Sequence, residues 1–191
     1  GVNCTVRVTP MLYWVVSAAP LRGGRKSEFP EDDSMYDKIL VPLDGSELAE
    51  CALPHVLELA KGCHVGEVIL LRICEPPTIR ADYPSSLPEG WERHVERLTE
   101  GARGQCGLYL DDVQKRLEAE GISVKTVSGL GDPSEEIVGY ASRNNVDLIV
   151  MTSHGRRGVK HWAMGSVAER VFRATCVPVL MVRAPGCPVG K

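Results

Sequence analysis

Gly155, Gly165 and Ser166 follow an apolar run ending at Thr152, in the stretch MTSHGRRGVKHWAMGSVAERV (residues 151–171). Glycine lets a backbone turn with positive φ, or approach a ligand with no Cβ in between, and a Gly-Ser pair at a helix start can leave amide N–H groups exposed. Such groups carry partial positive charge and bind phosphate. The same residues admit a self-contained alternative. Ser166-Val167-Ala168-Glu169 reads as an S-x-x-E capping box that satisfies the first-turn donors internally. Arg156, Arg157 and Lys160 can likewise neutralise a polyphosphate or belong to a solvated turn.

A second candidate lies in VPLDGSE (residues 41–47), where Asp44 stands at the exit of an apolar run. A carboxylate at a strand exit can accept hydrogen bonds from both hydroxyls of a ribose. It can also cap the following helix, with Glu47 three residues on, and the two roles are compatible. Neither common phosphate motif is present. Gly165 runs straight into Ser166 without the lysine of a P-loop, and only Gly45 follows the first apolar run, so no G-x-G-x-x-G exists there.

Five short β-branched runs hold these positions: Lys38–Leu43, Glu67–Ile73, Ser123–Leu130, Asp147–Thr152 and Pro178–Arg183. Helical periods separate them. One spans Ser46–Lys61, a long one tracks Trp91, Val95, Leu98, Ala102, Leu110, Val113 and Leu117, a third begins at Pro133, and the last covers Gly165–Ala174. Gly101, Gly104 and Gly107 each cost a helix about 1 kcal/mol against alanine, which predicts a break near 101–107. A Pro- and Ser-rich loop, residues 74–90, has the length of a lid. The alternation predicts an α/β fold: an open, doubly wound, five-stranded parallel sheet with helices on both faces, forming a single domain over residues 35–191. Ligands of such sheets sit beyond the carboxyl ends of the strands, where the strand order reverses. Residues 1–34 differ in character and are set aside as an extension, leader or expression remnant without fixed structure.

The chain of 191 residues is 43% hydrophobic and 25% charged, with a formal net charge of −3. That balance offers no basic excess to neutralise a nucleic-acid backbone, and the apolar run Met11–Ala19 is too short to span a bilayer. Seven cysteines, at 4, 51, 63, 74, 106, 176 and 187, include no C-x-x-C pair. Their scatter predicts reduced thiols in a cytosolic compartment, with a redox-sensing role for Cys106 or Cys187 as the alternative.

Taken together, YDKILVPLDGSELAECAL, VILLRI, VDLIVMTSHGRRGVKHWAMGSVAERVFRAT and PVLMVR resemble the universal stress protein family over essentially all of residues 35–191. The resemblance implies that family's open parallel sheet, with strand order 3-2-1-4-5, and ATP bound as in its nucleotide-binding branch. The family's loop motif, G-x2-G-x9-G-[ST], places Gly155 and Gly165-Ser166 on its second and third elements, while Thr152 replaces the first glycine. By the same resemblance Asp44 holds the adenosine end, and Pro42, Leu43 and Ile73 wall the base. Met151, Thr152, Gly155, Gly165, Ser166, Val167 and Ala168 then line the sugar and triphosphate, with His154 as a turn residue of the loop. Magnesium or manganese would accompany the nucleotide. The crevice lacks a clear acidic metal pair and a placed base, so the expectation is a cytoplasmic, stress-linked, nucleotide-responsive regulator with at most slow ATP hydrolysis. The alternatives are a nucleotide-free interaction module and a slow ATPase. The last strand, Pro178–Arg183, is an apolar edge that needs cover; the family's two-fold pairing implies a homodimer there, and the chain's own N-terminal extension is the competing cover.

Overall fold

The computed structural model describes residues 14–16, 36–74, 91–154 and 164–183. Five strands run parallel: β2 (Lys38–Pro42), β3 (Glu67–Cys74), β4 (Val124–Leu130), β5 (Leu148–Thr152) and β6 (Val179–Val182). Their order across the sheet is β4-β3-β2-β5-β6, which is 3-2-1-4-5 counted along the parallel strands, as expected. Successive apolar residues on β2 and β3 point to opposite faces, and both faces are covered. On one face Ile39, Val41, Val68 and Leu70 pack with Val56, Leu110, Val113 and Leu117; on the other Leu40, Ile69, Leu71 and Ile149 pack with Ile137, Ala141 and Val171. The first set of partners comes from α2 (Leu53–Gly62) and α3 (Trp91–Glu118), the second from α4 (Pro133–Arg143) and α5 (Ser166–Ala174). Asp147 joins the start of β5 to β2, its Oδ2 accepting from the amides of Asp37 at 2.9 Å and Lys38 at 2.8 Å.

Three local expectations are corrected. The helix expected over Ser46–Lys61 is two: α1 (Glu47–Glu50) and α2, separated by a turn at Cys51–Ala52. Pro54 stands in the first turn of α2, a position where its missing N–H is tolerated, whereas inside one continuous helix it would break a hydrogen bond. The break expected near 101–107 is absent, and α3 runs unbroken for 28 residues. Burial of Cys106, Leu110, Val113 and Leu117 outweighs the cost of three glycines, and Leu98, expected on the inner face, is exposed. The third concerns the cysteines: Cys74 and Cys106 are disulfide-bonded, not reduced. Cys74 ends β3 and Cys106 lies within α3, so packing brings together two thiols that sequence spacing does not associate.

The outer edge of β6 is not bare. Residues 14–16 form β1 (Trp14–Val16), antiparallel to β6, with Trp14 opposite Met181 and Val16 opposite Val179. Three residues set aside from the fold therefore belong to the sheet, and the edge assigned to a homodimer is occupied by the chain itself. An apolar edge with unsatisfied N–H and C=O groups is a template for any extended segment, and a tethered one has the concentration advantage. Among the described residues no helix is long and apolar enough to cross a membrane.

Candidate functional site

β2 and β5 lie side by side, with Ile39 opposite Leu148 and Leu40 opposite Ile149. From this pair the order runs to β3 on one side and to β6 on the other, so the reversal point is between them. A cavity of about 370 Å3 opens beyond their carboxyl ends, within the size range of small-ligand pockets. Pro42, Leu43 and Asp44 line it from β2 and its exit, and Ile73 from β3; Met151, Thr152 and His154 line it from β5 and its exit. Gly165, Ser166, Val167 and Ala168 close it from the start of α5. Gly155 and the basic residues 156, 157 and 160 lie outside the described residues, as does most of the 74–90 loop. Ala49, Leu71, Pro133, Ile137 and Ser153 also line the cavity and were not anticipated; the four-residue spacing of Pro133 and Ile137 on one helix face was the available signal.

The start of α5 decides between the two readings of Gly165-Ser166. Gly165, at φ −61° and ψ 146°, is the N-cap and brings no side chain to cap the helix. Ser166 is the first helical residue, one position too late to act as the serine of a capping box, and Glu169 pairs instead with Arg173 at 2.8 Å. The Glu169 amide donates to the Gly165 carbonyl at 2.9 Å, which leaves the amides of Ser166, Val167 and Ala168 with no acceptor inside the helix. Close approach favours Gly165: its own amide donates to the Ser153 carbonyl at 2.8 Å, and a Cβ there would stand 3.1 Å from that oxygen.

Asp44 does not cap a helix either. Its Oδ1 accepts from the Ser46 amide at 2.9 Å and the Ser46 hydroxyl at 2.6 Å. Ser46 is the N-cap of α1, its Oγ accepting from the Ala49 amide at 3.2 Å. The carboxylate is thereby fixed at the mouth of β2 by a short Asx-type turn.

Across the cavity, the Thr152 hydroxyl donates to the His154 carbonyl at 2.7 Å. Both residues are buried, and the His154 ring lies 3.0 Å from the Ser153 hydroxyl through Nδ1. The residue that stands where a motif glycine was expected thus braces the turn instead of offering its hydroxyl to the cavity. On the α4 side, Asp132 caps α4 through the amides of Ser134 and Glu135 and accepts from Arg170 of α5 at 2.9 Å. Hydrogen bonding from the Ser134 hydroxyl, then from the Glu135 amide, pulls the Asp132 carboxyl down to about 2, with Arg170 adding in the same direction. Among the described residues no group of three or more His, Cys, Asp or Glu side chains gathers as a metal site.

Residues 35–183 match the family model described as "Universal stress protein family". The chain belongs to the universal stress protein family. Universal stress protein MJ0577 of Methanocaldococcus jannaschii is 37% identical over 160 residues, covering 78% of this chain and 96% of that protein. The solved structure of hypothetical protein MJ0577 superposes with a TM-score of 0.68 at 36% identity, over 80% of this chain and 99% of that one. A universal stress protein solved in complex with cAMP shares the fold at 19% identity, with a TM-score of 0.51 over 78% of this chain and 98% of that one.

Proposed function

We propose that this universal stress protein is a nucleotide-responsive regulator that binds ATP in the cavity beyond β2 and β5. One observation carries the reading: the N-terminus of α5, whose N-cap Gly165 has no side chain to cap it, and the Asp44 carboxylate line the same cavity. The first offers amide donors and a positive dipole end to an anionic tail; the second is an acceptor suited to a ribose diol. Pro42, Leu43, Ile73 and Met151 supply apolar surface for a base, and the divalent cation rides on the phosphates. Gly155 and the arginines after it complete the phosphate loop in this reading.

Dimerisation through Pro178–Arg183 uses the edge that Trp14–Val16 occupies, so the dimer belongs to the state in which that strand has left β6.

Isothermal titration of the full chain with MgATP tests the nucleotide assignment, alongside mass analysis of any nucleotide released on denaturation. ATP binding that fails on Asp44→Ala supports it; no heat and no thermal stabilisation at millimolar MgATP would reject it, since ligand at 100 times its Kd stabilises by about 2.7 kcal/mol.

A further inference from the structure

A cation supports the Asp44 turn from beneath. Arg72 interrupts β3, in which every other residue from Val68 to Cys74 is buried. Its guanidinium lies against Gly45, where a Cβ would stand 2.8 Å from Nη2, 3.0 Å from Cζ and 3.1 Å from Nη1. Gly45 also has φ +84°, a conformation that a side chain strains. The turn after Asp44 is therefore shaped to sit on the flat of an arginine.

Arg72 is itself held from α3. Its Cζ lies 4.6 Å from the centroid of the Tyr109 ring, within cation–π range. Burial raises the Tyr109 hydroxyl above its ordinary pKa, the Glu50 carboxylate and more weakly Asp44 push the same way, and Arg72 opposes them. Two carboxylates and one guanidinium thus share the surroundings of a single ring. Arg116 engages Glu50 at 2.7 Å. The Cys74–Cys106 disulfide joins β3 and α3 two residues beyond Arg72 and three before Tyr109.

Ser46 ties one oxygen of Asp44 from the C-terminal side of the turn, and the guanidinium blocks movement of the turn toward α3. A planar, permanently charged group on a central strand suits this task, because it packs flat against backbone and holds its donors in a fixed fork. We propose that Arg72, stacked on Tyr109, is a positioning residue that holds the Asp44–Gly45 turn so that the Asp44 carboxylate meets the ribose hydroxyls of a bound nucleotide. The proposal rests on the nucleotide reading above.

The test is titration of the full chain with ATP and with 2′,3′-dideoxy-ATP, which lacks both ribose hydroxyls, for the unaltered protein, Arg72→Met, Arg72→Lys and Tyr109→Leu. The unaltered protein is expected to prefer ATP. Arg72→Met should weaken ATP roughly tenfold, the scale of one charge-assisted hydrogen bond, while leaving the dideoxy nucleotide unchanged, so that the preference collapses. Tyr109→Leu, which keeps the cation and removes its platform, should do the same to a smaller extent and carries the test if Arg72→Met does not fold. Arg72→Lys should recover only part of the preference. Parallel weakening of both nucleotides, or an unchanged preference, overturns the proposal, as does an unaltered protein that binds both equally. An unaltered protein that binds neither instead rejects the nucleotide reading itself.

Discussion

The hydroxyl of Thr152 is bonded to the carbonyl oxygen of His154, two residues on and at the foot of the cavity. Thr152→Val keeps the shape and removes the donor of a buried hydrogen bond, at a cost of about 1 kcal/mol. Urea denaturation should show that loss, and Thr152→Ser, which retains the hydroxyl, should recover most of it.

Ser166 is the first residue of α5 and follows an extended Gly165, the setting in which proline is accepted at a helix start. Ser166→Pro removes an amide donor and a hydroxyl from the cavity while preserving the helix. Stability should change by no more than about 1 kcal/mol, whereas ATP affinity should fall by at least tenfold on titration. Ser166→Ala, which keeps the amide, should bind better than Ser166→Pro.

The disulfide between Cys74 and Cys106 closes a loop of 32 residues in sequence separation. Constraint of the unfolded chain by such a loop is worth about 3–4 kcal/mol. Cys106→Ser should lower the denaturation midpoint accordingly, and a strong reductant should lower that of the unaltered protein but not of the variant.

Asp132 ionises at about 2 in the folded protein against an ordinary 3.8. A carboxyl whose folded pKa is depressed contributes stability that is complete above its unfolded pKa and disappears as the pH falls through its folded one. The contribution should therefore be intact above about pH 4 and lost progressively toward pH 2. Comparing acid unfolding of the unaltered protein and Asp132→Asn isolates it: the variant's stability should vary less with pH across that interval.

Trp14–Val16 and a second copy of the chain compete for one strand edge in the proposed dimer. A chain lacking residues 1–34 should elute as a dimer in light-scattering chromatography at concentrations where the full chain is monomeric. Val179→Pro in the shortened chain, which removes an amide from the outer side of β6 and leaves its ladder to β5 intact, should restore the monomer.

Much of this molecule is legible in windows of ten or twenty residues. Alternating apolar runs and helical periods gave the parallel sheet and its two covered faces, because side-chain burial imposes its period locally. The exit of Asp44 from β2 and the Gly165-Ser166 step were visible for the same reason, as turn chemistry is written in adjacent residues.

Other features depended on partners far along the chain. Ser166 read equally well as a cap or as a first helical residue, and a shift of one position, set by the Gly165 amide meeting the Ser153 carbonyl, decided which. The glycines of α3 signalled a break until packing against the sheet outweighed them. Nothing near Trp14 points to Met181, nothing near Cys74 to Cys106, and nothing near Arg72 to Tyr109. The sequence by itself determined which segments become strands and helices and which residues stand at their ends, since those choices follow from local periodicity. Only the tertiary structure decided which ends meet, which residue begins a helix and which charge finds an aromatic face, because those free energies arise between segments that close packing alone brings together.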